Sequence, residues 1–153
     1  MANTFTQIHI HSVFAVRNRQ SLIQNTWKSE LFKYITGILT QNGHKLLAIN
    51  GMPDHIHLLF GFRPEQSLSD IMQKVKRSSS LWINKNKFVH GHFSWQEGFA
   101  AFSYSRSQLK DVIRYVENQE LHHQKKSFSE EYRELMRLFE ISFDERCILK
   151  EPL

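Results

Sequence analysis

The sequence has few cysteines and no long apolar runs. Cys147 is its only cysteine, which excludes an intramolecular disulfide and a metal cluster built from cysteines. No stretch approaches the roughly 18 consecutive apolar residues of a membrane span, and the first residues lack the basic and then apolar pattern of a leader peptide. Repeats, low-complexity segments and internal linkers are also missing. We therefore expect a cytoplasmic protein without a membrane partner.

Length and composition are those of an ordinary globular protein. With 153 residues, of which 41% are hydrophobic and 23% are charged, the chain suits one compact domain with a real core. We expect a single domain over residues 1–153, with a core over about residues 5–126 and a helical extension over residues 127–153. Lys and Arg number 20 against 15 Asp and Glu, which gives a net charge of +5. This modest excess favours an acidic partner such as nucleic acid.

Hydrophobic spacing divides the chain into strands and helices. Alternating apolar residues predict strands, whereas apolar residues at three- and four-residue steps predict helices. Gly51-Met52-Pro53 is predicted to be the turn between two of the strands. The predicted strands cover residues 5–16, 45–50, 54–62 and 93–105, and the predicted helices cover residues 21–41, about 67–87, 107–123 and 127–139.

The order of these elements predicts the fold class. Strand, helix, two strands, helix and strand, followed by two helices, is the order of an α+β protein with a ferredoxin-like (split βαβ) arrangement. We expect an antiparallel sheet with two helices on one face and additional C-terminal helices. The first and third strands are then central neighbours. The opposite face of the sheet is left for a ligand or for a C-terminal helix.

The third predicted strand carries two histidines on one face. Because alternate side chains of a strand leave opposite faces, His55 and His57 share one face while Ile56 and Leu58 share the other. Two imidazoles at this spacing can converge on one divalent metal, which needs further ligands from elsewhere. The alternative is that both are ordinary strand histidines. Asp54 precedes the pair, where a role in the turn is favoured over a hydrogen bond to a metal ligand.

The third predicted helix carries a second polar pair. Tyr115 and Gln119 lie four residues apart, and therefore on one helix face at the border of the buried surface. A tyrosine hydroxyl can attack a phosphodiester when a metal polarises the phosphate, and an amide oxygen can complete the metal shell. The alternative is a pair that simply faces solvent. Tyr104 is the second candidate for the nucleophile.

Three segments together resemble a known family. They are Gly-Met-Pro-Asp-His-Ile-His-Leu-Leu at residues 51–59, Trp-Gln-Glu-Gly-Phe-Ala at residues 95–100, and Tyr-Val-Glu-Asn-Gln at residues 115–119, followed by two histidines. From about Thr6 to Phe128 the sequence resembles the single-tyrosine HUH transposases of small bacterial insertion sequences and their REP-associated relatives. The metal-binding motif of those enzymes is a histidine, a hydrophobic residue and a histidine.

The resemblance implies a function and a site. It implies a metal-dependent endonuclease and strand-transferase for single-stranded DNA, in which Tyr115 forms a 5′-phosphotyrosine link. His55 and His57 would bind Mg2+ or Mn2+ with Gln119 as the third ligand. The implied partners are single-stranded or hairpin DNA and a second copy of the chain in a homodimer. Basic side chains suited to contact DNA phosphates are Arg63, Lys74, Arg77, Lys85 and His122.

Other functions stay open from the sequence. A catalytically inactive or domesticated protein that binds DNA hairpins fits the fold and the charge equally well. A relaxase or replication initiator shares the metal motif, but the small size of the chain disfavours it. A metallohydrolase that needs Asp and His soon after the pair is disfavoured because Leu58-Leu59 follow His57. His9 and His11 can contact DNA or support the metal ligands.

Overall fold

The structure, a computed structural model, describes residues 4–141. Cys147 and the end of the predicted extension, residues 142–153, lie outside the described residues. Within the described part no helix is long and apolar enough to cross a membrane. The strands are β1 (His9–Ala15), β2 (Lys45–Met52), β3 (His55–Gly61) and β4 (Ala100–Ser103), and the helices are α1 (Asn25–Gln41), α2 (Leu68–Lys85), α3 (Leu109–Glu117), α4 (Gln119–His123) and α5 (Phe128–Leu138).

The four strands form one antiparallel sheet in the order β2-β3-β1-β4. This order confirms the predicted α+β, ferredoxin-like arrangement, in which β1 and β3 are central neighbours. In the pairing of these two strands Val13 lies opposite His57. The apolar face of β3, which includes Ile56, Leu58 and Phe60, is buried in one core with α1 and α2.

The other face of the sheet is covered by the C-terminal helices. Residues of β1 and β4, such as Val13 and Phe102, pack against α5, while Leu59 of β3 packs against Val112 and Val116 of α3. The histidines of β3 therefore lie beneath a helical layer and are buried. The sequence predicted either a ligand or a C-terminal helix on this face, and in the structure the C-terminal helices cover it.

Serine side chains fix the start of two helices. The Oγ atom of Ser67 accepts a hydrogen bond from the backbone N–H of Asp70 at the start of α2. At the start of α5, Ser127 accepts one from the backbone N–H of Glu130 in the same way. Each bond satisfies a backbone donor that the first turn of a helix leaves free. Both starts agree with the sequence prediction.

The prediction of a strand over residues 93–105 is wrong for most of its length, because only Ala100–Ser103 is a strand. Before it, the chain turns at Gly98, where φ is 82°. Phe93 and Trp95 are buried in the core from this loop. The aromatic composition indicated burial correctly, but burial does not require a strand.

The prediction of one helix over residues 107–123 is also wrong. The chain leaves helical geometry at Asn118, where φ is −98° and ψ is 27°. Tyr115 therefore belongs to α3 and Gln119 begins α4. A simple helical projection does not hold across this break.

Candidate active site

His55 is buried and is held by its neighbour in sequence. Its Nδ1–H donates to Asp54 Oδ1 over 2.7 Å, and Asp54 Oδ2 lies 3.6 Å from Arg19. Burial would raise the pKa of Asp54, but the hydrogen bond from His55 lowers it below its usual range. Burial lowers the pKa of His55 to about 4, so this imidazole is neutral at pH 7. Asp54 thus orients His55, a role that the sequence argument placed second to a role in the turn.

His57 is held by His11 of β1, which contacts it at Nδ1. The Nε2 atom of His11 lies 2.8 Å from Nδ1 of His57, and the two rings stack with their centroids 5.0 Å apart. Burial, and then the neighbouring His57, lower the pKa of His11 to about 3. A neutral imidazole carries one N–H, so His11 can donate to His57 or accept from it. The sequence left this role of His11 open.

A carboxylate from α5 reaches both strand histidines. Glu131 is only 1% exposed, and its Oε1 atom lies 3.1 Å from Nε2 of His57 and 3.7 Å from Nε2 of His55. Nε2 of His123 lies 3.2 Å from the same oxygen. One ligand atom from each of these four residues lies within 4.8 Å of the others. Imidazole nitrogens and a carboxylate at such spacing are a donor set that a divalent metal can use.

The second oxygen of the carboxylate faces the tyrosine. Tyr115 donates its hydroxyl hydrogen to Glu131 Oε2, and Nε2 of His122 lies 3.2 Å from the same oxygen. The Tyr115 ring is 5.9 Å from the ring of His57, measured between centroids. Burial, and then the negative charge of Glu131, raise the pKa of Tyr115 far above its ordinary value. The hydroxyl is therefore protonated at pH 7.

His123 of α4 lies against the same carboxylate. Its Nδ1 atom lies 3.0 Å from the carbonyl oxygen of Lys126, and its Nε2 atom lies 2.9 Å from Gln119 Oε1. Because both ring nitrogens face acceptors, both are best satisfied as donors. Burial would lower the pKa of His123, but the hydrogen bond to Glu131 raises it. In turn, hydrogen bonds from the surrounding side chains hold the pKa of Glu131 well below its usual range despite burial.

Gln119 is buried beside His123. Its Nε2 donates to the backbone carbonyl of Tyr115 over 3.3 Å, and its Oε1 accepts from His123. Both ends of the amide are therefore engaged within α3 and α4. The runner-up nucleophile, Tyr104, stands next to His11, with ring centroids 6.1 Å apart, and burial raises its pKa to about 12.

Sequence reasoning missed Glu131 and His123. A signal for Glu131 was present, since it lies three residues after Phe128 and four before Leu135, both of which are core residues. A charged residue inside the apolar stripe of an amphipathic helix requires a partner. His123 had no comparable signal, because it follows the break that the sequence did not indicate.

The side chains predicted to contact DNA are divided between two regions. Lys74, Arg77 and Lys85 are exposed on α2, which packs on the sheet face opposite the histidines. Arg63 is exposed just after β3 and pairs with Glu65. Only His122 adjoins the site. An open cleft of about 460 Å³ beside it is lined by Asp111, Arg114, Tyr115, Asn118, Leu121, His122 and Lys125.

Two solved structures share this fold. One is a Deinococcus radiodurans protein assigned as a transposase, with a TM-score of 0.61 and 23% identity over 78% of this chain and 95% of that one. The other is a REP-associated tyrosine transposase bound to a REP hairpin, with a TM-score of 0.61 and 14% identity over 80% of this chain and 73% of that one. The four-stranded antiparallel sheet with its helices is thus a fold found in solved transposase structures.

The sequence matches the IS200-like transposase family over residues 4–119, and the chain belongs to that family. It is also 24% identical over 119 residues to the ISDra2 transposase TnpA of Deinococcus radiodurans, covering 74% of this chain and 84% of that protein. The protein is therefore a DNA transposase, an enzyme that acts on DNA. The match ends at Gln119, so α5 and Glu131 lie beyond it.

Proposed function

We propose that this transposase cuts and rejoins single-stranded DNA through a covalent link to Tyr115. The observation that carries the proposal is the convergence of the Tyr115 hydroxyl with His57 and His55 around one buried carboxylate. Histidines poised for a metal and a nucleophile in one site are the parts that such a reaction needs.

The proposed cofactor is a divalent cation, Mg2+ or Mn2+. His55 and His57 would hold it through their Nε2 atoms, which both face Glu131 Oε1, while Asp54 and His11 contact their Nδ1 atoms and orient the rings. Gln119 is the third ligand that the family resemblance predicts. When bound, the cation would withdraw charge from the scissile phosphate and stabilise the departing oxygen.

In the proposed reaction, Tyr115 replaces the 3′ oxygen of the DNA on phosphorus. The phenolic oxygen of Tyr115 forms a bond to phosphorus as the bond from phosphorus to the 3′ oxygen breaks. The phenol loses one proton and the 3′ oxygen gains one, so atoms and charge balance. Because the phosphodiester energy is kept in the phosphotyrosine, rejoining requires no other energy source.

The cleft beside Tyr115 is the proposed entry for DNA. Arg114, His122 and Lys125 line it and can contact phosphate oxygens. The resemblance predicts single-stranded or hairpin DNA as the substrate, and the REP-associated relative bound to a hairpin supports this. A homodimer stays a prediction of the same resemblance.

The test is a search for the covalent intermediate. Single-stranded oligonucleotides from both strands flanking the gene are incubated with the protein and Mg2+ or Mn2+, then separated on a denaturing gel. We expect a metal-dependent band of protein joined to DNA, absent in Tyr115→Phe and in His57→Ala. Tyr104→Phe is the matched control and should keep the band.

Two outcomes would contradict the proposal. A band that persists in Tyr115→Phe and disappears in Tyr104→Phe would assign the nucleophile to Tyr104. Binding of a hairpin oligonucleotide without any covalent band would favour the non-catalytic hairpin-binding protein instead.

A further inference from the structure

A buried carboxylate in the active site comes from outside the region matched to the family. Glu131 belongs to α5, whereas the match ends at Gln119. Its surroundings are the imidazoles of the site and the phenol of Tyr115. Removal of a carboxylate from water costs several kcal/mol, and here the hydrogen bonds from the surrounding side chains offset that cost. A charged group held by so many side chains of the site indicates a role in the site rather than a role in packing.

Attachment of α5 to the sheet does not supply that explanation. The helix is already held by its N-cap at Ser127 and by an apolar stripe that packs on β1 and β4. An apolar residue at position 131 would continue this stripe. Buried ion pairs are often no more stabilising than apolar residues of similar size, so fold stability alone does not favour a glutamate here.

The strongest indication is an unpartnered nitrogen that faces the carboxylate. Nε2 of His55 is buried and has no hydrogen-bond partner among the described residues. Since the Nδ1–H of this neutral ring donates to Asp54, Nε2 carries a lone pair. That lone pair lies 3.7 Å from the anionic Oε1 of Glu131. Two electron-rich atoms so placed repel each other, and a cation that both can bind removes the repulsion.

We propose that Glu131 is an oxygen ligand of the divalent cation bound by His55 and His57, and that its second oxygen holds the Tyr115 hydroxyl beside this site. The proposal rests on the metal dependence of the proposed function and adds a ligand to it. The resemblance offers only the neutral amide of Gln119 as third ligand. Helix α5 adds a negative charge, which strengthens the attraction for a divalent cation.

The test is direct binding of Mn2+ to the full-length, chelator-treated protein without DNA. Calorimetry gives the affinity, and electron paramagnetic resonance follows the loss of free Mn2+. We expect Glu131→Gln to weaken Mn2+ binding by at least about tenfold. Glu134→Gln makes the same chemical change at an exposed position of α5 and should bind as the wild type does. Circular dichroism and thermal melting of each variant check that the fold is kept.

Gln119→Ala and His57→Ala make the result decisive. If Glu131 is a ligand, Glu131→Gln loses more affinity than Gln119→Ala does. Wild-type affinity in Glu131→Gln together with a loss in His57→Ala would overturn the inference and leave the proposed function standing. Conversely, failure of the covalent DNA band with normal Mn2+ binding would contradict the proposed function while the role of Glu131 could still be read from these affinities.

Discussion

His11 limits how the ring of His57 can move. It is fully buried in β1, and its ring both stacks on His57 and meets its Nδ1 atom. Side chains that hold a metal-binding histidine fix the direction of its free nitrogen. His9, two residues earlier on the same strand, is only half-buried. The two histidines therefore form a natural comparison.

We predict that His11→Phe weakens Mn2+ binding by about 10- to 100-fold, the usual effect of removing such a support. Phe keeps a ring against Phe102 and Tyr104 but has no nitrogen for His57. His9→Phe should leave the affinity unchanged. Calorimetric titration of both variants measures the difference, and equal affinities for the two would show that His57 needs no support from β1.

Because side chains alternate strictly along a strand, the prediction that His55 and His57 share one face was reliable. His55 and His57 do lie on the face opposite Ile56 and Leu58, because the period of a strand leaves only two choices. Glu131 escaped prediction for the opposite reason. Its partners in β3 are more than seventy residues away from it in sequence. The periodicity of a helix or strand cannot predict a contact over that separation.

Strand β2 contains a glycine, Gly51, beside which the structure leaves no room for a side chain. Gly51 was predicted to belong to the turn, but it lies within β2 opposite Ile56. A Cβ atom at this residue would stand 2.6 Å from the carbonyl oxygen of His55 and 2.7 Å from Cδ1 of Ile56. Such distances are well inside normal contact, so a larger residue must push β2 away from β3.

We predict that Gly51→Ala lowers the free energy of unfolding by about 1–3 kcal/mol, the cost of overpacking a tight site. Gly37 in the middle of α1 is the matched control, because a Cβ there would meet nothing within 4 Å. Gly37→Ala should raise the free energy of unfolding by about 0.5–1 kcal/mol, since alanine favours helix. Urea unfolding of both variants tests the pair, and a stabilised Gly51→Ala would contradict this view of the strand contact.

Element order was easier to predict than element boundaries. The order of strands and helices follows from hydrophobic periods, and the sheet has the predicted neighbours. Asn118 shows the limit, since it interrupts the helix without a proline or glycine. The segment before β4 shows another, because Phe93 and Trp95 are buried from a loop. For Phe93 and Trp95, contacts with the core rather than a strand account for the burial.

At the scale of the molecule, one chain carries all the groups of the candidate site. Tyr115 and Glu131 approach His57 within the same chain. A dimer in which the tyrosine helix of one subunit serves the other is therefore not required to bring these groups together. In the single chain, Tyr115 stands beside the chain's own His57.

We predict that Tyr115→Phe and His57→Ala do not restore each other. In a mixture of the two variants, each chain lacks one part of its own site, so the covalent DNA band should stay absent. If subunits exchanged their tyrosine helices, one of the two sites in each mixed dimer would have both an intact tyrosine and intact histidines. With random mixing, up to about one quarter of all sites would then be active. A band that appears on mixing would contradict assembly within one chain, and each variant alone is the control.

The order of the site's residues along the chain determines when the site is completed during synthesis of the protein. The two strand histidines, the tyrosine and Gln119 are all made before α5, which supplies the hydroxyl's partner. A chain that stops after Gln119 contains the whole family match but none of the carboxylate that holds Tyr115. Interrupted translation would therefore yield fragments in which the Tyr115 hydroxyl lacks the carboxylate that holds it in the complete chain.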